Sequence, residues 1–141
     1  MKYQNKMKLK FDSIIENENF ARLAVASFCS LKITNIETLS DIKTAVSEAI
    51  TNCIVHGYDG TVGDVDIECI LNDTCVTITI QDYGVGIQDI DTATMPFFTT
   101  KPDKERSGMG FTVMEGFMDD IVIESQVGVG TKIVLIKYFN M

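Results

Sequence analysis

A chain of 141 residues, 45% hydrophobic and 23% charged, has the length of one domain (1–141) and an ordinary globular composition, enough to bury a real core. Its net charge of −8 argues against direct nucleic-acid binding, which takes a basic face, and leaves room for a basic or divalent-cation partner. No apolar run reaches membrane-spanning length, and MKYQNKMKLKFD has lysines but lacks the apolar segment of a secretory signal, so a cytoplasmic protein with no membrane association is expected.

KMKLKFD (6–12) alternates apolar and polar residues and predicts a first strand with Met7, Leu9 and Phe11 on one face. ENENFARLAVASFCSLK (16–32) predicts a helix, because Phe20, Leu23, Ala24, Ser27, Phe28 and Leu31 recur at three and four. Thr38, Ser40 and Asp41 offer cap chemistry for a second helix with the apolar stripe Ile42, Ala45, Val46, Ala49, Ile50, Cys53 and Ile54. Gly57 and the Asp59-Gly60 pair stop it.

VDIECIL and CVTITIQD, joined by Asn72, Asp73 and Thr74, read as an antiparallel hairpin. The irregular run YGVGIQDIDTATMPFFTTKPDKERSG is long for a connection in a compact domain, a mark of lids and binding loops. GMGFTVMEGFMDD resumes a helix, and IVIESQ and TKIVLIKYF close the chain as a hairpin around VGVG. This order predicts an α+β fold: a two-layer α/β sandwich with a mixed, mostly antiparallel sheet and helices on one face. Cys29, Cys53, Cys69 and Cys75 sit in apolar segments without a C-x-x-C pair, which reads as buried reduced thiols rather than a zinc site.

The polar residues left over carry the chemistry. In DYGVGI, Asp82 stands at a strand end before Gly84 and Gly86; the pattern suits a tight turn, or a backbone that approaches a flat ligand while Asp82 accepts from an exocyclic amine. SGMGF (107–111) opens a helix and reads as a glycine-rich cap or an anion site, and VGVGT (127–131) most simply as a hairpin turn. Glu48 and Asn52 share one helix face. That face is solvated, or it sets a carboxamide oxygen for Mg²⁺ one turn from a carboxylate able to take a proton. His56 reads as a structural cap.

Taken together and in this order, E-x-x-x-N on a helix, D-x-G-x-G, G-x-G at a helix start and G-x-G-T resemble the ATP-binding fold shared by histidine kinases, gyrase B, Hsp90 and MutL, the GHKL or Bergerat fold. Within that group ENENFAR (16–22), VSEAITNCIVHGYDG (46–60), QDYGVGIQDI (81–90), PFFTTKPDKERSGMGFTVMEGFMD (96–119) and VGVGT are similar to the serine-kinase anti-sigma factors of spore-forming bacteria, over essentially the whole chain. The resemblance implies an ATP/ADP site with Mg²⁺. Glu48 is then the general base, Asn52 the Mg²⁺ ligand and Asp82 the acceptor for the adenine amine, with Gly84, Gly86 and Ile87 shaping its pocket. Thr99, Thr100 and Lys101 fall in a lid over the phosphates, Arg106, Ser107, Gly108, Met109, Gly110 and Phe111 on the lid's end and the phosphate-facing helix start, and Thr131 near the adenine.

It also implies partners: a sigma factor of the sigma F type, held silent by a homodimer joined near the first strand, and an anti-anti-sigma protein phosphorylated on a serine. Glu18 and Arg22 match the partner-contacting positions. Tyr83 departs from the small or acidic residue of many relatives, and no phosphoacceptor-histidine helix accompanies the ATP domain. A stress-response anti-sigma kinase, or a module that uses nucleotide as a switch without transfer, are the rival readings; Glu48 argues against the second, since sensing needs no base.

Overall fold

The computed structural model describes residues 3–88, 90 and 110–139. Strand β1 (Gln4–Asp12) leads into helices α1 (Glu16–Cys29) and α2 (Ile36–Asn52), and α2 runs directly into one π-helical turn, Cys53–Gly57. Strands β2 (Asp64–Asn72) and β3 (Cys75–Asp82), helix α3 (Gly110–Phe117), and strands β4 (Asp120–Gln126) and β5 (Gly130–Tyr138) follow. The sheet has the order β1-β2-β3-β5-β4, and each of these pairings is antiparallel. This is the expected α+β sandwich.

Period-two patterning fixes the sheet's two faces. Val65, Ile67, Cys69 and Leu71 of β2, Val76, Ile78 and Ile80 of β3, and Ile133 and Leu135 of β5 are buried in one core with the helices. The opposite face carries Lys8 against Glu68 (3.6 Å) and Lys132 against Glu124 (3.6 Å), exposed pairs that contribute little stability but keep that face polar. The β2–β3 turn is set by Asn72, whose Oδ1 accepts from the amides of Thr74 and Cys75, both at 2.9 Å.

The helices depart from the sequence reading in two places. Helix α1 buries Ala21, Val25 and Cys29, and leaves Phe20, Leu23 and Leu31 about half exposed. Apolar residues surround most of this helix, so periodicity alone could not choose a face, and the seam that packs is the small-residue one, which allows close helix approach. The N-cap of α2 is Asn35, whose side chain accepts from the Thr38 amide at 3.0 Å, so Thr38 is the donor of the cap rather than the cap itself. The stripe Ile42, Ala45, Val46, Ala49, Ile50 and Cys53 is buried as expected, with Ile54 only half-buried.

Cys29, Cys53 and Cys69 are buried free thiols and Cys75 is half-buried. Burial pushes the Cys29 thiol from its ordinary 9.0 to about 12, and pushes Cys69 higher still in the same direction. Because the folded pKa is raised, this contribution to stability is complete below pH 9 and is lost as pH climbs toward 12. Each such thiol then costs about 1.4 kcal/mol per pH unit above 9. Urea midpoints are expected to fall steeply between pH 8 and pH 10.5, and less steeply in Cys29→Ala; an equal slope in that variant would remove the thiol from the effect.

Candidate functional site

The site is built where the end of α2 meets the ends of β3 and β5. Asp82, the last residue of β3, is fully buried. Its Oδ1 accepts from the Gly84 amide (3.0 Å) and the Thr131 amide (3.3 Å). Its Oδ2 is buried without an N–H or O–H partner among the described residues. Burial raises the Asp82 pKa, while the Gly84 amide, the Cys53 thiol and the Thr131 amide pull it back. Cys53, at the start of the π turn, is driven well above its ordinary value, first by burial and then by the adjacent Asp82 charge. A thiol is only a weak donor, so it does not satisfy the carboxylate.

Backbone closeness makes this burial feasible. A Cβ at Gly57 would lie 2.6 Å from Asp82 Oδ2, one at Gly84 would lie 1.8 Å from the Gly57 carbonyl oxygen, and one at Gly130 would lie 2.2 Å from the Asp82 carbonyl oxygen. Gly86 has φ +79°, a left-handed conformation that suits glycine, and sits against the backbone of Gln126.

Three successive amides after Asp82 are pinned. Tyr83 N donates to the Tyr58 hydroxyl (2.8 Å), Gly84 N to Asp82 Oδ1, and Val85 N to the Gly57 carbonyl (2.8 Å). The Ile87 amide donates to Ser125 Oγ at 2.7 Å, and Ser125 in turn meets the Thr131 hydroxyl at 2.9 Å. The D-x-G-x-G segment is thus a tight turn whose Tyr83, Gly84 and Val85 amides are used internally, and the acceptor left over is Asp82 Oδ2.

The model of a family described as a histidine kinase-like ATPase domain matches residues 15–137. The anti-sigma F factor of Clostridium acetobutylicum is 52% identical over 138 residues, 98% of this chain and 96% of that protein. The anti-sigma F factors of Caldanaerobacter subterraneus (49% over 140 residues, 99% and 98%) and Geobacillus kaustophilus (50% over 136 residues, 96% and 93%) are similar to the same extent. The chain belongs to the anti-sigma F factor family. Its fold is accordingly the histidine kinase-like ATPase fold.

The structure brings Asp82, Gly84, Gly86, Ile87 and Thr131 together around one buried carboxylate. Glu48 and Asn52 stand one turn apart and half-buried on the last turns of α2, with Asn52 next to the Cys53 that faces Asp82. Gly110 is the first residue of α3, whereas Phe111 is buried in the core. His56 lies within the π turn rather than at a helix cap. Thr99, Thr100, Lys101, Arg106, Ser107, Gly108 and Met109 lie outside the described residues.

On α1, Glu18 accepts a hydrogen bond from the Ser47 hydroxyl of α2. Arg22 is half-buried, donates to Asn19, and keeps its Nε buried without a partner among the described residues. Sequence reasoning missed Tyr58, and took Gly57 only as a helix stop; the signal available was the H-G-Y run directly after the helix, but its meaning depends on β3 coming alongside.

Gly84→Ala should cost about 3 kcal/mol, because its Cβ collides with backbone that cannot retreat. Gly116→Ala, exposed in α3 with open space around it, should instead gain ~0.5–1 kcal/mol. Thermal or urea unfolding of the pair checks both signs.

Proposed function

We propose that this chain is an ATP-dependent protein-serine kinase that also holds a sigma factor of the F type silent. The observation that carries the nucleotide reading is the buried Asp82 Oδ2. An unpartnered buried acceptor is costly, and a donor from a ligand relieves that cost. The exocyclic amine of adenine is such a donor. Family membership supports the rest of the reading.

In this reading Glu48 accepts the proton of the partner's serine hydroxyl as its oxygen bonds to the γ-phosphorus, the bond to the β-phosphate oxygen breaks, and ADP leaves. Asn52 offers its carboxamide oxygen to Mg²⁺, an oxygen-seeking ion that takes few protein ligands beside phosphates. Mg²⁺, when bound, neutralises phosphate charge. Thr99, Thr100, Lys101, Arg106, Ser107, Gly108, Met109 and Gly110 cover the phosphates, and positioning with electrostatics supplies most of the catalysis, as is usual for phosphoryl transfer. The serine belongs to an anti-anti-sigma protein, the acting species is a cytoplasmic homodimer joined near β1, and Glu18 and Arg22 contact partners. The outer edge of β1, unpaired among the described residues and backed on its other side by β2, suits such a junction.

The test is transfer of γ-labelled phosphate from Mg·ATP to the anti-anti-sigma protein of the same organism. Label on a partner serine is expected with the wild type, and at least ~100-fold less with Glu48→Gln at retained ATP affinity, the usual size of a general-base contribution. Retained ATP binding with no transfer by the wild type would leave a nucleotide-switched binding module. Asn52→Ala is expected to abolish the Mg²⁺ dependence of ATP affinity, read by calorimetry with and without the metal; a preserved dependence would refute its ligand role.

A further inference from the structure

The Asp82 carboxylate needs a fixed direction if it is to read a base, and the groups that fix it reach beyond the residues of the turn itself. Tyr58 follows the π turn and closes it, its amide donating to the Cys53 carbonyl at 3.0 Å. Its ring is buried and fills the space beside Gly63, where a Cβ would come within 2.3 Å of it. Its hydroxyl donates to the Asp64 carbonyl at the start of β2 and accepts from the Tyr83 amide at 2.8 Å. One side chain therefore ties together the end of α2, the first residue of β2 and the peptide that immediately follows Asp82.

The arrangement is directional. The hydroxyl has one proton, and the Asp64 carbonyl takes it. What remains is an acceptor, which matches the Tyr83 N–H. Two residues on, the Gly57 carbonyl takes the Val85 amide. The turn is gripped on both sides of Gly84 by consecutive residues, Gly57 and Tyr58, so any shift of the α2 end is passed to Asp82. The π turn matters here: its extra residue per turn is what brings Gly57 and Tyr58 round to β3.

We infer that Tyr58 is a positioning residue for nucleotide selection: its hydroxyl pins the Tyr83 peptide and thereby aims Asp82 Oδ2 at the base. This rests on the reading that Asp82 accepts from adenine. Tyr58 touches neither the base nor the phosphates; it acts through Asp82.

The experiment measures ATP and GTP affinities of the full chain, by calorimetry, for the wild type, Tyr58→Phe, Asp82→Asn and the double variant. Tyr58→Phe keeps the ring and its packing. Its ATP affinity is expected to fall about tenfold, the scale of one directed hydrogen bond, with GTP affinity unchanged, so that the ATP/GTP ratio falls with it. In the Asp82→Asn background the same substitution is expected to change neither affinity further. A Tyr58→Phe protein of lowered melting temperature but unchanged ATP/GTP ratio would show a merely structural tyrosine and overturn the inference alone. No ATP preference in the wild type, or one untouched by Asp82→Asn, would overturn the base-reading role of Asp82 and the inference with it.

A second measurement needs no substitution. If the pinned peptide and the bound base are coupled, ATP must slow hydrogen exchange at the Tyr83 amide of the wild type by the reciprocal of the same linkage, and GTP must not. Equal exchange with and without ATP would overturn the inference.

Discussion

A carboxylate buried with one oxygen left over is the constraint around which this end of the molecule is arranged. Asp82 sits at the end of a central strand, sealed from solvent, with Oδ1 satisfied by two amides and Oδ2 by none among the described residues. Burial raises its pKa, a sign that the environment resists the charge. Stability alone would favour an apolar residue here. The neighbouring glycines follow from the same constraint, since Gly57, Gly84 and Gly130 each lie where a Cβ would strike the carboxylate or the backbone next to it.

The π turn links this carboxylate to the polar face of α2. A helix that continued in α geometry past Asn52 would point its next residues differently; the wider turn brings Cys53 and Gly57 onto Asp82 and leaves Glu48 and Asn52 half-buried just before it. The sheet provides the rigid side of the arrangement. β3 is paired with β5 along its whole length, ending with Asp82 opposite Thr131, so the carboxylate keeps its bond from the Thr131 amide. Ser125 on β4 extends the same rigidity to the Ile87 amide.

Much of this was legible in the residues. The strands announced themselves by strict alternation, and β3 coincides with the CVTITIQD segment because β-branched residues run there without a break, apolar alternating with threonine. The buried stripe of α2 was readable because its opposite face is polar. For α1 the same method could not choose a face, because Phe20, Leu23 and Leu31 are apolar yet outward, while Ala21, Val25 and Cys29 make the seam. Phe111, in the second position of α3, has its ring buried in the core, which the glycine-rich pattern around it does not reveal.

By itself, then, the sequence determined what depends on short-range order: the alternation of the strands, the period of the helices, the glycines flanking an acid, and the E-x-x-x-N spacing that puts two polar groups on one helix face. Only the tertiary structure decided what depends on segments far apart in the chain. That Gly57 makes room for Asp82, that the Tyr58 hydroxyl holds the Tyr83 amide, and that Arg22 is half-buried are outcomes of packing between elements, and no local pattern encodes which side chain meets a backbone that arrives from elsewhere.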